Sequence, residues 1–392
     1  MKRIGTAFSL LYAAVTVLPA QTFTTLYSFS GGDGASPAAA LVQGTDGNLY
    51  GATISGGVQN DGTVFKITTG GTLTKLYNFC SQADCIDGLD PDAALVEAAN
   101  GKFYGTTYRG GAANQGTVFE IEPDGALTSL YSFCRQGESC RDGAEPNGGL
   151  IQGINGDLYG TTEVGGTNGG YGTIFSMTLG GLRTTLYSFD MVHGQNPEAA
   201  LVQTTDGDLY GTTLHGGLAG YGTVFRITAS RTLTVLYSFC VQAACADGAN
   251  PAAPLIRGID GNFYGTTFEC GEAPGYGTVF QIAPAGALNT LHSFSDSDGI
   301  CPRAGLLQAT DGSFYGTTTG GGTFGGAQCS KSRRPALSRR YTTSALKQTA
   351  RTARTPLTGW SRRPTGTFTG PPNWAGARMA AGMAAARCSK YP

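Results

Sequence analysis

The sequence has few of the residues and motifs that mark enzymes and membrane proteins. Among its 392 residues there are three histidines, two tryptophans and five methionines, and 14% of the residues are charged. No Gly-x-Ser-x-Gly elbow, His-Glu-x-x-His motif or Gly-Lys-Ser/Thr loop occurs, which argues against an α/β-hydrolase, a zinc protease and a P-loop protein. Beyond the first 20 residues, no apolar run is long enough to cross a bilayer.

Acidic residues are missing from the end of the chain, so the formal net charge of -1 conceals two oppositely charged parts. Residues 327–392 contain 13 Lys/Arg and no Asp or Glu, which leaves 13 basic and all 27 acidic residues in the preceding part. That acidic part argues against nucleic acid as a partner, because binding it requires cations that neutralise phosphates.

The start of the chain has the layout of an export signal. Lys2 and Arg3 precede an apolar run from Ile4 to Leu18, and a small residue, Ala20, follows. This order predicts a secretory signal peptide over residues 1–20, because the apolar run is short for a membrane span. A buried first helix is the alternative. With a signal peptide, the protein is exported to the periplasm, the cell surface or the extracellular space.

One unit of about 53 residues recurs along the chain. Its first copy, from Asp46, reads DGNLYGATISGGVQNDGTVFKIT. Further copies start at Asn100, Asn155, Asp206, Asp260 and Asp311, and the last of them breaks off after DGSFYGTTTGGG. The tyrosines of the shared Tyr-Gly pair lie 51 to 55 residues apart. A period of this size is typical of solenoids, propellers and arrays.

Each repeat holds four short strand-like runs and no helical periodicity. In the second copy they are AALVE (93–97), KFYGTT (102–107), GTVFEI (116–121) and LTSLYSF (127–133). Asn100-Gly101, between the first two, is a strong signal for a tight hairpin turn. Four strands in each unit predict an all-β fold, a β-propeller with four-stranded blades, in preference to a β-sandwich or a parallel β-helix.

The outermost run of each blade, Leu-Tyr-x-Phe, is expected to pack its aromatic rings between neighbouring blades. TTLYSF, from Thr24 to Phe29, is such a run without a blade of its own. Propellers commonly close by lending a terminal strand to the last blade, which removes an open sheet edge. We therefore expect residues 21–326 to form the propeller, with strand 24–29 completing its last blade.

The repeat pattern stops after Gly326, and the basic residues 327–392 are expected to form a disordered tail. When each codon is read one base earlier, codon degeneracy allows GTVFKI at 327–332, LTTLYNFCSQADCTDGANP at 338–356, DGNFYGTTELGG at 364–375 and GTVFKVS at 386–392. These strings restore the repeat in its correct spacing. We therefore predict a frameshift near Gly326, an intended propeller of seven blades, and five complete blades with a partial sixth in this chain.

Six of the ten cysteines form close pairs just after the outermost runs: Cys80 and Cys85, Cys134 and Cys140, and Cys240 and Cys245. In an exported protein such pairs predict local disulfides. Zinc binding is the alternative, but the pairs lie in different blades and have no adjacent histidine ligands. Cys270 and Cys301 lie in loops expected on one face of the propeller, and we predict a further disulfide between them.

The connections between second and third strands emerge on the same face as those between blades, which we call the loop face. Binding sites are often built on loops held by a rigid scaffold. The varied residues there are our candidate binding residues: Arg109, Glu163, His193, His215 and Glu269. His193 and His215 are close enough in the predicted topology to meet, and a His-Glu cluster can serve acid–base chemistry or hold a divalent ion. Solvated loop residues are the alternative.

No cofactor or metal site is predicted. The acidic loops around Asp87 and Asp298 contain oxygen ligands of the kind that calcium takes, but they lack the spacing of an EF-hand. We interpret their aspartates as turn-forming residues, and structural calcium stays an unsupported alternative.

The unit DGNLYGAT…GG…GTVFKIT…LYNF, repeated from Asp46 to Gly322, resembles the GloVer tandem repeat of choice-of-anchor bacterial surface proteins. The resemblance implies an exported repeat protein fixed to the cell surface by a variable C-terminal segment, and it brings no established activity. No such anchor is visible after Gly326. The strand pattern also faintly resembles streptogramin-lyase-like propellers, whose catalytic histidine and metal positions find no match here.

These observations predict an exported, non-enzymatic scaffold or binding module for a glycan, a surface polymer or another protein. The alternative is a carbohydrate-active or lyase-type enzyme with its site on the loop face near His193 and His215. A nonfunctional product of a frameshifted gene is the third reading. The mild variation between repeats favours binding over catalysis.

Overall fold

The computed structural model describes residues 25–135, 139–269 and 275–322, and four short strand segments at 328–332, 342–343, 361–362 and 368–369. The predicted signal peptide, Thr24, Cys270 and most of the predicted tail lie outside the described residues. Within them, regular structure is strand, apart from two 3₁₀ turns at Ala83–Cys85 and Ala243–Cys245. The fold is all-β, as the repeats predicted.

Five sheets of four antiparallel strands follow one another along the chain, and in each sheet the strands pair in chain order. The first has β1 (Val42–Gln43), β2 (Leu49–Thr53), β3 (Thr63–Ile67) and β4 (Leu73–Asn78). The second has β5 (Val96–Glu97), β6 (Phe103–Thr107), β7 (Thr117–Ile121) and β8 (Leu127–Ser132). The third has β9 (Ile151–Gln152), β10 (Leu158–Thr162), β11 (Thr173–Met177) and β12 (Arg183–Ser188). The fourth has β13 (Val202–Gln203), β14 (Leu209–Thr213), β15 (Thr223–Ile227) and β16 (Leu233–Ser238). The fifth has β17 (Ile256–Arg257), β18 (Phe263–Thr267), β19 (Thr278–Ile282) and β20 (Leu288–Ser293).

The end of the chain contributes strands, which differs from the expected disordered tail and half sixth blade. A sixth sheet has β21 (Leu307–Gln308), β22 (Phe314–Thr318), β23 (Gln328–Ser332) and β24 (Thr342–Thr343), and β25 (Ser361–Arg362) pairs with β26 (Phe368–Thr369). Thr318 pairs with Gln328 as Thr53 pairs with Thr63 in the first sheet. Strand pairing uses backbone N–H and C=O groups, so β22 can pair with residues whose sequence has left the repeat.

The first two strands of each sheet are joined by the tight turn that Asn-Gly and Asp-Gly predict. In the second sheet Gly101 has φ 76°, and its N–H donates to the Ala98 carbonyl at 2.9 Å. Glycine adopts this left-handed conformation without steric cost. The turn delivers the chain into β6, in which every residue is buried.

Aromatic rings pack between neighbouring sheets, as the Leu-Tyr-x-Phe runs predicted. The ring centroids of Phe79, after β4, and Phe119, in β7, lie 5.2 Å apart with an edge-to-face geometry. Closer to the inner strands, Tyr50 stacks on Phe103 of the next sheet at 3.9 Å. Such contacts recur from sheet to sheet and form a separate buried cluster between each pair of neighbouring complete blades.

The inner strands of neighbouring sheets approach closely at a common axis. A Cβ added to Gly149 would lie 3.6 Å from the Ala94 carbonyl oxygen and 3.7 Å from the Ala200 Cβ, in the repeats on either side. Successive four-stranded sheets that meet at their first strands are blades around an axis. The fold is therefore a β-propeller, with five complete blades and a sixth whose last strands come from the tail.

A buried threonine pair fixes the loop-face end of each complete blade. In the second blade the hydroxyls of Thr107 and Thr117 lie 2.8 Å apart, and the Thr107 hydroxyl also donates to the Arg109 carbonyl at 2.8 Å. The loop after each second strand thus leaves the sheet in a defined direction.

Residues 25–29 pack on the first blade but are not part of a strand. The ring of Phe29 lies 5.0 Å from that of Phe65, the same edge-to-face relation as Phe79 on Phe119. Leu26 likewise contacts the Gly71 turn as Leu76 contacts the Gly125 turn. The role of this segment as the closing strand of a last blade stays a prediction.

Three of the predicted disulfides are present, and each closes the loop that follows an outer strand. They join Cys80 to Cys85, Cys134 to Cys140, and Cys240 to Cys245. They indicate an oxidising, extracellular environment. Cys301 forms no disulfide with a described residue, and its predicted partner Cys270 lies outside that part of the chain.

Candidate binding site at the axial mouth

One position per repeat forms a ring around the axis where it opens on the loop face. It is the residue after the proline that leads into each inner strand, and we call these six residues the axial ring: Ala38, Asp92, Asn147, Glu198, Ala252 and Arg303. In the second blade Ala93 and Leu95 are buried in the sheet. Asp92 and Ala94 are less buried than these two residues. Asp92 of the second blade and Arg303 of the sixth both act electrostatically on Glu198 of the fourth, which places these three side chains near one another.

A second set of residues lies just above the axial ring. Each is the first residue after a second strand, and we call them the mouth residues: Ile54, Tyr108, Glu163, Leu214, Phe268 and Thr319. The Asn147 amide donates to Glu163 Oε2 at 3.5 Å, which joins the two sets. The exposed Arg303 guanidinium lies 3.9 Å from the Phe268 ring centroid, a cation–π contact.

The carboxyl groups of the axial mouth have raised pKa values. Burial, with a smaller effect of Asp90, raises the pKa of Asp92 to about 6. Burial and the nearby Glu163 carboxylate raise the pKa of Glu198 to about 7, against the opposing effect of Arg303. Neither Asp92 nor Glu198 forms an ion pair or a hydrogen bond within the described part of the chain. Shifted, unpaired carboxyl groups of this kind are common at functional sites.

Of the predicted site residues, Glu163 alone belongs to the axial mouth. Burial and Glu145 raise its pKa. Arg109 is exposed, and its guanidinium lies 5.6 Å from the ring centroid of Tyr108. Glu269 is paired through its backbone with Ala249 at the rim of the loop face.

The two predicted histidines bond to different partners. Nδ1 of His193 lies 2.8 Å from Asp190 Oδ1, and its ring stands edge-on to Tyr187 near the outer strand. Nδ1 of His215 lies 3.0 Å from Asn250 Nδ2. Within the described residues no hydrogen bond or ring contact joins the two histidines to each other.

Aspartates in the loops after the outer strands have a structural role that the sequence analysis did not identify. The phenols of Tyr77, Tyr131 and Tyr237 donate to Asp87, Asp142 and Asp247 at 2.8, 2.7 and 2.9 Å. The available signal was an Asp-Gly pair that follows the Leu-Tyr-x-Phe run in the first, second and fourth repeats. In the third repeat His193 stands in the place of this aspartate. The aspartates thus anchor loops, in line with their interpretation as turn-forming residues.

One group of possible metal ligands in the described residues does not qualify as a metal centre. Asp61, Cys80 and Cys85 lie within ligand distance of one another. Both cysteines are in a disulfide, which removes the thiolates that a metal would need.

The repeat itself identifies the family. The family model of the Gloeobacter/Verrucomicrobia repeat matches residues 3–170 and again residues 149–370. The chain belongs to this repeat family. The match confirms the resemblance inferred from the Tyr-Gly and Leu-Tyr-x-Phe units, and it covers the blades that build the axial mouth.

Solved structures similar to this member of the repeat family share its fold at low identity. A candidate 6-phosphogluconolactonase from Bacteroides uniformis is 16% identical, with a TM-score of 0.51 over 79% of this chain and 84% of that one. Another, from Bacteroides fragilis, is 18% identical, with a TM-score of 0.51 over 83% and 86%. At this identity the likeness supports the propeller fold alone. No curated protein matches the chain. Within the described residues, none of the helices has the length and apolar character of a membrane span.

Proposed function

We propose that this protein is an exported, non-enzymatic binding module that takes a glycan or surface polymer at the axial mouth of its loop face. The observation that carries the proposal is the convergence of Asp92, Glu163 and Glu198 with the Asn147 amide. Carboxyl and amide groups bind the hydroxyls of sugars, and the rings of the mouth offer apolar faces for stacking.

Three observations support export and binding. The disulfides after the outer strands are typical of secreted proteins. The mouth combines few polar groups with aromatic residues, which is the usual make-up of a ligand site. His193 and His215 each bond to a partner in their own neighbourhood, and this supports structural roles for them.

The test is binding of the purified full-length chain to a panel of neutral polysaccharides, measured by affinity electrophoresis. Glu198→Gln should weaken binding of a retained polysaccharide by at least tenfold. Glu122→Gln is the matched control, because Glu122 is a half-exposed residue after a third strand and pairs with Lys102 at 2.9 Å. Equal retardation of both variants and the parent chain would refute the axial mouth as the site.

An enzyme is the second candidate, and the shifted carboxyl groups favour it. A carboxyl group with a pKa of about 7, as in Glu198, is suited to general acid–base catalysis at neutral pH. The carbohydrate-active or lyase site predicted from sequence as the alternative lies near His193 and His215. Product release from retained polysaccharides, lost in Glu198→Gln and kept in His215→Ala, would favour catalysis at the axial mouth.

We further propose that the coding frame changes near Gly326 and that the intended propeller has seven blades. The pairing of Thr318 with Gln328 supports this, because it is the register that GTVFKI would adopt in the other frame. Arg362 pairs with Phe368 as Gln43 pairs with Leu49, which is the register of the first two strands of a blade. On this proposal the present chain is an incomplete form of the binding module.

A further inference from the structure

The third blade departs from the other complete blades at the start of its outer strand. The outer strands of the other four begin with Leu73, Leu127, Leu233 and Leu288, each packed into the core between blades. The third begins with Arg183. Burying a charged side chain at an apolar position costs desolvation free energy, which contacts around the guanidinium must offset.

Arg183 is enclosed by rings of two blades and is incompletely paired. Its Cζ lies 5.4, 5.3 and 5.0 Å from the ring centroids of Tyr131, Phe133 and Phe175. Nη1 donates to the Thr185 hydroxyl at 3.0 Å, whereas Nε is buried and has no hydrogen-bond partner in the described part of the chain. Nη2 donates to the Thr173 hydroxyl at 3.5 Å, and Arg183 forms no ion pair with a described residue.

An open pocket of about 330 Å³ lies beside this arginine on the surface of the third blade. Its lining is Arg141, Thr167, Asn168, Thr185, Leu186, Tyr187 and Ser188. Thr185 connects the two, because it lines the pocket and accepts the hydrogen bond from Arg183. Arg141 is exposed and forms no ion pair or hydrogen bond with another described residue.

Two described carboxylates that lie next to the pocket lining in sequence, Asp142 and Asp190, are already engaged. Asp142 accepts from Tyr131 Oη at 2.7 Å and from the Cys134 N–H at 3.0 Å. Asp190 is paired with His193 at 2.8 Å. Two guanidiniums, Arg141 at the pocket and Arg183 behind it, thus act on a cavity lined by neutral polar groups.

We propose that this pocket between the second and third blades binds an anionic monosaccharide unit, a uronate or a sulfated sugar. Arg141 would take the carboxylate or sulfate through its planar fork of N–H donors. Thr167, Asn168 and Thr185 supply hydroxyl and amide groups for the sugar hydroxyls. The volume is at the lower end for small-molecule sites, which suits a single sugar ring. The site is separate from the axial mouth.

The test is calorimetric titration of the full-length chain with glucuronate, glucose 6-sulfate and glucose at low salt. Both anions should bind at least tenfold more tightly than glucose, and the ranking of the two anions distinguishes carboxylate from sulfate as the preferred group. Arg141→Gln should weaken anion binding at least tenfold. Arg231→Gln, at an exposed arginine of the fourth blade, should leave it unchanged.

Arg183→Leu separates a binding role from a structural one. The substitution gives the third blade the leucine of the other repeats, so the melting temperature should stay the same or rise while anion affinity falls about three- to tenfold. Glu198→Gln should leave anion binding unchanged, which keeps this test independent of the axial mouth. Equal binding of glucose and glucuronate, or full affinity in Arg141→Gln, would overturn the proposal.

Discussion

Tyr77 Oη lies 2.8 Å from Asp87 Oδ2, and this hydrogen bond ties the outer strand of the first blade to the loop that follows it. Asp87 is fully buried and also accepts from the Ser81 N–H at 2.9 Å. The bond holds the connection to the second blade, which carries Asp92 into the axial ring. The first, second and fourth blades share such an anchor, which holds the loop leading to the next inner strand.

Loss of a tyrosine hydroxyl should lower stability in the first blade, where the hydroxyl bonds to an aspartate, and have little effect in the third. We expect Tyr77→Phe to lower the free energy of unfolding by about 1 kcal/mol, because it leaves a buried carboxylate with one donor fewer. Tyr187→Phe is the matched control, since the Tyr187 phenol has no hydrogen-bond partner in the described residues, and it should change stability by less than about 0.5 kcal/mol. Urea unfolding followed by fluorescence measures both, and equal losses would contradict the anchor.

The disulfides should contribute modestly, because each closes a short ring. For Cys240 and Cys245, five residues apart, loop-closure entropy gives about 2 kcal/mol. Replacing both cysteines by alanine should lower the free energy of unfolding by that amount. Reduction with dithiothreitol should then destabilise the double variant less than it destabilises the parent chain. An unchanged unfolding curve would show that the loop is held by Asp247 and Tyr237 alone.

The repeat pattern made most of the fold predictable from sequence. Asn100-Gly101 marked the turn between the first two strands, and alternation in KFYGTT marked a strand that proved fully buried. The aromatic contacts between blades followed from the Leu-Tyr-x-Phe runs. These features are local or recur at a fixed spacing, so a single sequence contains them.

The candidate site was far less predictable, because its residues come from different repeats. Asp92, Asn147 and Glu198 meet only because neighbouring blades bring their inner strands together at the axis. His193 and His215 are close in sequence, yet loop geometry directs one to Asp190 and the other to Asn250. An alignment of the repeats shows which positions vary between them. It does not show where the side chains at those positions point, because that depends on the folded structure.

The shifted carboxyl group of Glu198 predicts a pH-dependent stability. Its pKa rises from 4.5 to about 7 in the folded protein, so the folded state binds more protons than the unfolded state between these values. The contribution of Glu198 to the free energy of unfolding should therefore be fully present below about pH 4.5 and be lost as the pH rises through 7. Glu198→Gln should add about 1 kcal/mol at pH 8, after allowance for solvent screening, and little at pH 4.5. Urea unfolding at both values measures this, and an equal effect at the two would contradict it.

A glycine in the second strand allows close packing inside each blade. A Cβ at Gly105 would lie 2.6 Å from Phe119 Cζ and 2.7 Å from Leu95 Cδ2. Gly105→Ala should destabilise the protein by about 1–3 kcal/mol through overpacking. At Gly180 the nearest atom is 3.9 Å away, so Gly180→Ala should be near neutral. Thermal unfolding of the two variants compares them directly, and a similar shift in both would argue against the packing explanation.

The final prediction concerns closure of the ring by residues 25–29. A chain recoded to restore the reading frame after Gly326 would supply a third strand for this segment to pair with, and it should melt at a higher temperature than the present chain. Phe29 packs on Phe65 as Phe79 packs on Phe119. In the recoded chain Phe29→Ala should therefore cost about 3–5 kcal/mol, the same cost that we expect for Phe79→Ala. In the present chain the same substitution should cost less, because residues 25–29 lack a strand partner among the described residues and can detach without disrupting a sheet. Phe79→Ala, equally costly in both chains, is the control. A Phe29→Ala effect that is identical in the two chains would mean that this segment packs on the first blade without closing a ring.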